Sequence, residues 1–134
     1  MADERVHRGG CACGAVRLEM RGEPENVRCC HCRNCQKTMG SPFFARALFK
    51  AEQFSVTGET ARWATSAALE RVFCPACGTR VYADRSGLTF VGVALAAFDD
   101  PAAFSPGSHI FVSRKAPWLK LDDGLPQWAE WSDD

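Results

Sequence analysis

Cys29-Cys30-His31-Cys32-Arg33-Asn34-Cys35 holds four of the chain's eight cysteines, and two smaller groups flank it, Cys11-Ala12-Cys13-Gly14 and Cys74-Pro75-Ala76-Cys77-Gly78. Thiolates two or three residues apart let one loop place two sulfurs about 3.7 Å apart, the separation required around a tetrahedral zinc ion. The two outer pairs make one closed four-sulfur site, which is the structural kind. Pro75 stiffens its second loop, and Gly78 permits the positive φ that turns backbone N–H groups toward sulfur. Zinc held by Cys11, Cys13, Cys74 and Cys77 would tie the N-terminal strand to the middle of a sheet.

The central cluster reads differently. Cys30, Cys32 and Cys35 offer three thiolates from one loop, and three protein ligands with an open position describe a catalytic zinc. The alternative is a second closed site with Cys29 or His31 as fourth ligand. Adjacent residues point apart, which disfavours both, and His31 is better read as packing or hydrogen-bonding. A redox use of Cys32 and Cys35 needs a thioredoxin-like βαβ pattern, which is not visible around them.

Eight cysteines also suit a disulfide framework, but that belongs to secreted, core-poor chains. Met1-Ala2-Asp3-Glu4-Arg5 is charged and no apolar run follows it, so no signal peptide is expected. The longest weakly polar stretch, Phe90 to Phe98, is too short to span a bilayer. The expectation is a cytoplasmic protein with reduced thiols. Its 134 residues suit one domain, 1–134, and nine Phe with four Trp supply a real core. Sixteen basic residues balance sixteen acidic ones, a poor footprint for nucleic acid or an anionic membrane.

Short alternating runs separated by Gly, Pro, Asp and Ser predict a mostly β chain with little helix, in small antiparallel sheets. Val16, Leu18 and Met20 alternate with charged residues as in a half-buried strand. Further strands are expected at Phe43 to Phe49, Phe54 to Val56, Arg62 to Thr65, Leu69 to Phe73 and His109 to Val112. Ala51 to Gln53 reads as a turn. Arg80 to Asp84 and Leu88 to Leu95 predict a hairpin across Arg85-Ser86-Gly87. Asp100-Pro101 suits a helix start that Pro106-Gly107 soon ends.

The order Cys-x-Cys-Gly, Cys-His-Cys-x-x-Cys, Gly40-Ser41-Pro42-Phe43 and Phe-Cys-x-x-Cys-Gly resembles the glutathione-dependent formaldehyde-activating enzyme family, which also includes centromere protein V. Lys115-Ala116-Pro117-Trp118 and Asp123-Gly124-Leu125-Pro126 are similar to that family's C-terminal pattern, so the likeness runs from Gly10 to Trp131. The resemblance implies an Mss4-like fold, with small antiparallel sheets stapled by a structural zinc. It implies that Cys11, Cys13, Cys74 and Cys77 hold that ion, that Cys30, Cys32 and Cys35 hold a catalytic one, and that Cys29 is a packed thiol. It implies a carbon–sulfur lyase joining formaldehyde, or another aldehyde, to glutathione or a related thiol. A non-catalytic zinc-stabilised binding module is the alternative. For the enzyme, Arg33, Lys37, Arg114 and Lys115 are candidates to meet glutathione carboxylates, although solvated surface charge suits most of them. His31 and His109 are candidate bases, and Ser41 is better read as a turn residue than as a donor.

Overall fold

Alternation of apolar and charged residues sets where this chain runs extended, and each strand buries one face by that rule. The computed structural model describes residues 5–85 and 89–131. The strands are β1 (Val6–Gly10), β2 (Arg17–Arg21), β3 (Asn26–Cys30), β4 (Phe44–Lys50), β5 (Phe54–Thr57), β6 (Ala61–Ser66), β7 (Leu69–Phe73), β8 (Arg80–Asp84), β9 (Phe90–Ala94) and β10 (Ser108–Ile110). One α-helix, α1 (Arg33–Met39), follows β3, and 3-10 turns occupy Ala51–Gln53, Leu95–Ala97 and Val112–Arg114. The architecture is mostly β with little helix.

The strands form two sheets, β1-β2-β5 and β10-β3-β4-β9-β8-β7-β6. Every strand pair is antiparallel except β10 with β3, which is parallel. Leu18 and Met20 of β2 join Ala47, Phe49, Val91 and Val93 of the larger sheet in one buried cluster. Phe54 of β5 meets Tyr82 of β8 edge-on, with ring centroids 4.6 Å apart, so aromatic contact links the two sheets.

The opposite face of the larger sheet is built differently. The register places Cys30, Phe44, Arg46, Gly92, Ala83 and Arg71 on it, running from β3 across β4, β9 and β8 to β7. Two small residues, Gly92 and Ala83, sit side by side between flanking arginines. They leave a hollow where larger side chains would fill the surface.

Several sequence expectations need correction. Asp100-Pro101 starts a turn, in which Asp100 Oδ1 accepts from Ala102 N–H, and not a helix. The expected strand His109 to Val112 is Ser108–Ile110, because Phe111 takes a left-handed conformation with φ 57°. The N-terminal strand lies in a separate, smaller sheet, so the four cysteines connect two sheets and not parts of a single one. Strands β1 and β3 and helix α1 were not expected. Of the predicted hairpin turn, Ser86 and Gly87, with Leu88 of the following strand, lie outside the described residues.

Candidate functional site

The sulfurs of Cys11, Cys13, Cys74 and Cys77 all lie within 4.8 Å of one another. Cys11 Sγ is 3.6 Å from Cys13 Sγ, and Cys13 Sγ is 3.8 Å from Cys74 Sγ, close to the edge of a zinc–thiolate tetrahedron. The first pair follows β1 and the second separates β7 from β8, so the cluster joins the two sheets. Backbone N–H groups aim at its sulfurs: Val16 donates to Cys11 at 3.2 Å and Ala76 to Cys74 at 3.3 Å. Gly78, at φ 79°, lets its own N–H reach Cys74 O and close the second loop. The Thr79 hydroxyl accepts from Ala12 N–H, which leaves its own hydrogen for Cys77 Sγ at 3.1 Å. That bond pulls the Cys77 thiol down to about 5, and the Val16 amide lowers Cys11. Those donors favour the thiolate, the form that binds metal, at Cys77 and Cys11, while the neighbouring sulfurs Cys11 and Cys77 push Cys13 up to about 11.

A second group, the sulfurs of Cys30, Cys32 and Cys35, also lies within 4.8 Å. Cys30 ends β3, Cys32 caps the N-terminus of α1, and Cys35 stands in its first turn, with Cys35 N–H donating to Cys32 Sγ at 3.3 Å. Hydrogen bonds from Cys30 and Cys35 hold Cys32 down at about 2, while Cys30 is pushed far up in exchange. Neither Cys29 nor His31 belongs to this group. Cys29 is buried and its thiol is pushed up to about 12 by that burial, which keeps it neutral.

His31 is fully buried and serves a polar chain instead. Its Nε2 is 2.9 Å from His109 Nδ1, and His109 Nε2 is 2.7 Å from Asp123 Oδ2. The carboxylate accepts, so His109 Nε2 carries a hydrogen and, in neutral His109, Nδ1 accepts from His31 Nε2–H. Burial, reinforced by His109 and Lys115, lowers His31 to about 4 and keeps it uncharged. Its Nδ1 meets no hydrogen-bond partner among the described residues. Ser41 also acts locally, donating to Phe43 O at 2.9 Å within its turn.

The sulfurs of the trio form one side of a cavity of about 370 Å³ on the hollowed face of the larger sheet. That volume lies in the range of small-molecule sites. Its walls are largely apolar, from Phe44, Leu69, Ile110 and Phe111, yet three arginines line it: Arg46, Arg71 and Arg85. No aspartate or glutamate lines it among the described residues. Arg71 is buried, donates to Thr65 Oγ1 at 2.9 Å and points Nη1 at Cys35 Sγ, 3.5 Å away. Arg46 is only 5% exposed, and burial together with the nearby Arg85 pulls it down to about 10, so it remains charged at neutral pH.

The four cations named from sequence lie elsewhere. Arg33, Lys37, Arg114 and Lys115 do not line this cavity; Arg33 and Lys37 border a surface groove beside the exposed Trp118. The missed arginines carried one sequence signal, a lone charge at Arg46 inside the apolar run Phe43 to Phe49.

Three comparisons bear on this geometry. A family model described as "Glutathione-dependent formaldehyde-activating enzyme" matches residues 6–114. An uncharacterized lyase of Schizosaccharomyces pombe is 34% identical over 76 residues, 57% of this chain. The chain spans about half the length of that curated relative, 56%. A crystal structure of a Rhodobacter sphaeroides protein superposes with a TM-score of 0.60 at 21% identity, over 90% of this chain and 98% of that one. At that identity the likeness speaks for the fold. Among the described residues, no helix is long and apolar enough to cross a membrane.

Proposed function

The chain belongs to the glutathione-dependent formaldehyde-activating enzyme family, and on that premise we propose that it is a zinc-dependent carbon–sulfur lyase. It forms or cleaves an adduct between a thiol and an aldehyde, of the S-hydroxymethylglutathione type. Cys30, Cys32 and Cys35 hold the functional zinc, and Cys11, Cys13, Cys74 and Cys77 hold a structural one within a single domain, 1–134. Eight free thiols suit the reducing cytoplasm. The observation that carries the reading is the open side of the trio: three sulfurs from the β3–α1 segment border a cavity, with no fourth protein ligand among the described residues.

In the forward direction the thiol sulfur bonds to the carbonyl carbon, the C=O π bond breaks, and the sulfur's proton passes to the oxygen. A thiol and an aldehyde already react unaided, so the protein contributes orientation and charge stabilisation. Zinc, when bound, supplies Lewis acidity toward oxygen or sulfur at the open position. The largely apolar walls lower the local dielectric and so strengthen charge interactions at the sulfurs. Arg71 holds Cys35 and offsets the negative charge of the thiolates.

The test is zinc per chain in wild type and Cys32→Ser, with adduct turnover and melting temperature measured together. Two zincs falling to one, with turnover lost and the fold kept, is the expected result. If turnover persists without the second zinc, the lyase assignment at this site is wrong. If the fold goes with the metal, both ions are structural and a binding module replaces the enzyme.

A further inference from the structure

We infer that the cavity takes the adduct of an apolar aldehyde, one carrying an alkyl chain or ring of several carbons, and that Phe111 and Trp131 select it. This rests on the lyase site proposed above and names the aldehyde class that the site handles.

Backbone conformation is the first argument. Ile110 ends β10 in register with Cys30 and lines the cavity. In an extended chain the next side chain would point to the other face of the sheet. Phe111 instead takes φ 57° and ψ 37°, a left-handed conformation disfavoured for a bulky residue, and lines the same cavity as Ile110. Such strain persists only where the surrounding structure holds it. Here Phe111 N–H donates to Glu130 O at 2.9 Å, and Ser113 Oγ donates to Glu130 Oε2 at 2.6 Å. The held turn brings an apolar ring to the cavity where a continuing strand would have turned it away.

Wall chemistry is the second. The same bonds bring Trp131 to the rim, its ring 5.0 Å from that of Phe111 with the planes at 75°. Arg85 lies over the Trp131 ring, 5.4 Å from its centre. The other two arginines are engaged as well, Arg71 with Cys35 Sγ and Thr65 Oγ1, and Arg46 with Asn26 Oδ1. Phe44, Leu69 and Ile110 continue the apolar wall beside the sulfurs. The hydroxymethyl group that formaldehyde brings has a single carbon and leaves this wall uncovered. An alkyl chain or ring covers it, and each carbon removed from water there adds to binding.

The step itself is unchanged. The thiol sulfur bonds to the carbonyl carbon, the C=O π pair moves to oxygen, the sulfur's proton ends there, and the apolar group stays on the carbon.

The experiment uses the full-length zinc-loaded protein and calorimetric binding of two unreactive thioethers, S-(2-phenylethyl)-N-acetylcysteine and S-methyl-N-acetylcysteine. They differ only in the group that the aldehyde would bring. The phenylethyl compound is expected to bind roughly tenfold or more tighter. Trp131→Ala should erase most of that preference at unchanged zinc content, and so should Phe111→Gly, which keeps the positive φ without the ring. If Phe111→Gly does not fold, Trp131→Ala at its exposed position decides alone. Equal binding of the two thioethers by wild type overturns the inference, as does a preference that survives in either folded variant. Turnover is followed in parallel, with N-acetylcysteine and either phenylacetaldehyde or formaldehyde. Turnover of neither adduct, with the thioether preference intact, sinks the lyase reading alone. Turnover of the formaldehyde adduct without any thioether preference sinks this inference alone.

Discussion

Arg71 links the cavity to the three-sulfur group through one side chain, and a sulfur held by such a bond would bind a metal with a fixed orientation and lowered charge cost. Arg71→Gln removes both effects and should weaken zinc binding at the trio by roughly tenfold or more. Competition with a chromophoric chelator measures this, and the four-sulfur site should hold its ion unchanged in the same titration. Asp123 supports the loop from the other side. It is held below the usual carboxylate range because His109 donates to it. A carboxylate lowered in the fold adds stability that is complete above its unfolded value of about 4 and is lost as pH falls through the folded one. Asp123→Ala should therefore melt below wild type at pH 6, with the gap closing below pH 4; a gap independent of pH would contradict this. The two sulfur groups were readable from sequence because thiol spacing is itself the geometry. Arg46, Arg71 and Arg85 were not, since a charge in a strand gains its neighbours only when distant strands pair.

Helix α1 shows why a short element escapes periodicity. Among its seven residues only Cys35 and Gln36 are buried, too few to show an apolar stripe. Its place is fixed by polar bonds: Gln36 Nε2 donates to His31 O at 2.7 Å and to Arg114 O at 2.9 Å, and Arg33 donates to Gln36 Oε1. Gln36→Ala strands both carbonyls and should cost about 2 kcal/mol in denaturant unfolding, with zinc at the trio bound more loosely. Strand β3 was missed for a related reason: Asn26, Val27 and Arg28 precede two cysteines, which read as a metal loop and hid the ladder beneath. Strand β10 was overextended because nothing in His109-Ile110-Phe111-Val112 announces a positive φ at a phenylalanine. The hairpins β6–β7 and β8–β9 were legible, each bounded by turn-forming residues. On the sheet face, Gly92→Val inserts methyl groups against Arg46 and into the hollow. Zinc content should stay at the wild-type value while turnover of the thiol–aldehyde adduct falls severalfold; unchanged turnover would show that the hollow is not the substrate's place.

At the scale of the whole molecule the two sulfur clusters differ in what they join. The trio lies within a single segment, β3 to α1, so an ion held there would leave without separating distant parts of the chain. The four-sulfur cluster ties the loop after β1 to the loop between β7 and β8, two segments of different sheets. Without it the smaller sheet keeps the packing of Leu18 and Met20 on the larger one, the Phe54–Tyr82 contact and the surface pair Arg17–Asp99. Three short strands are marginal by themselves, and an exposed ion pair adds little. Chelation should accordingly occur in two steps. The three-ligand site empties first, at low chelator concentration, with the far-ultraviolet circular dichroism and melting temperature nearly unchanged. The four-ligand site empties later, and its release coincides with loss of tertiary signal and a large fall in melting temperature, because there the binding free energy is folding free energy. Cys13 and Cys77 are exposed, so a chelator reaches that cluster directly and the order of release reflects affinity, not access. Simultaneous release of both ions, or unfolding at the first step, would show that the central cluster is structural and would remove the physical basis for an open catalytic position.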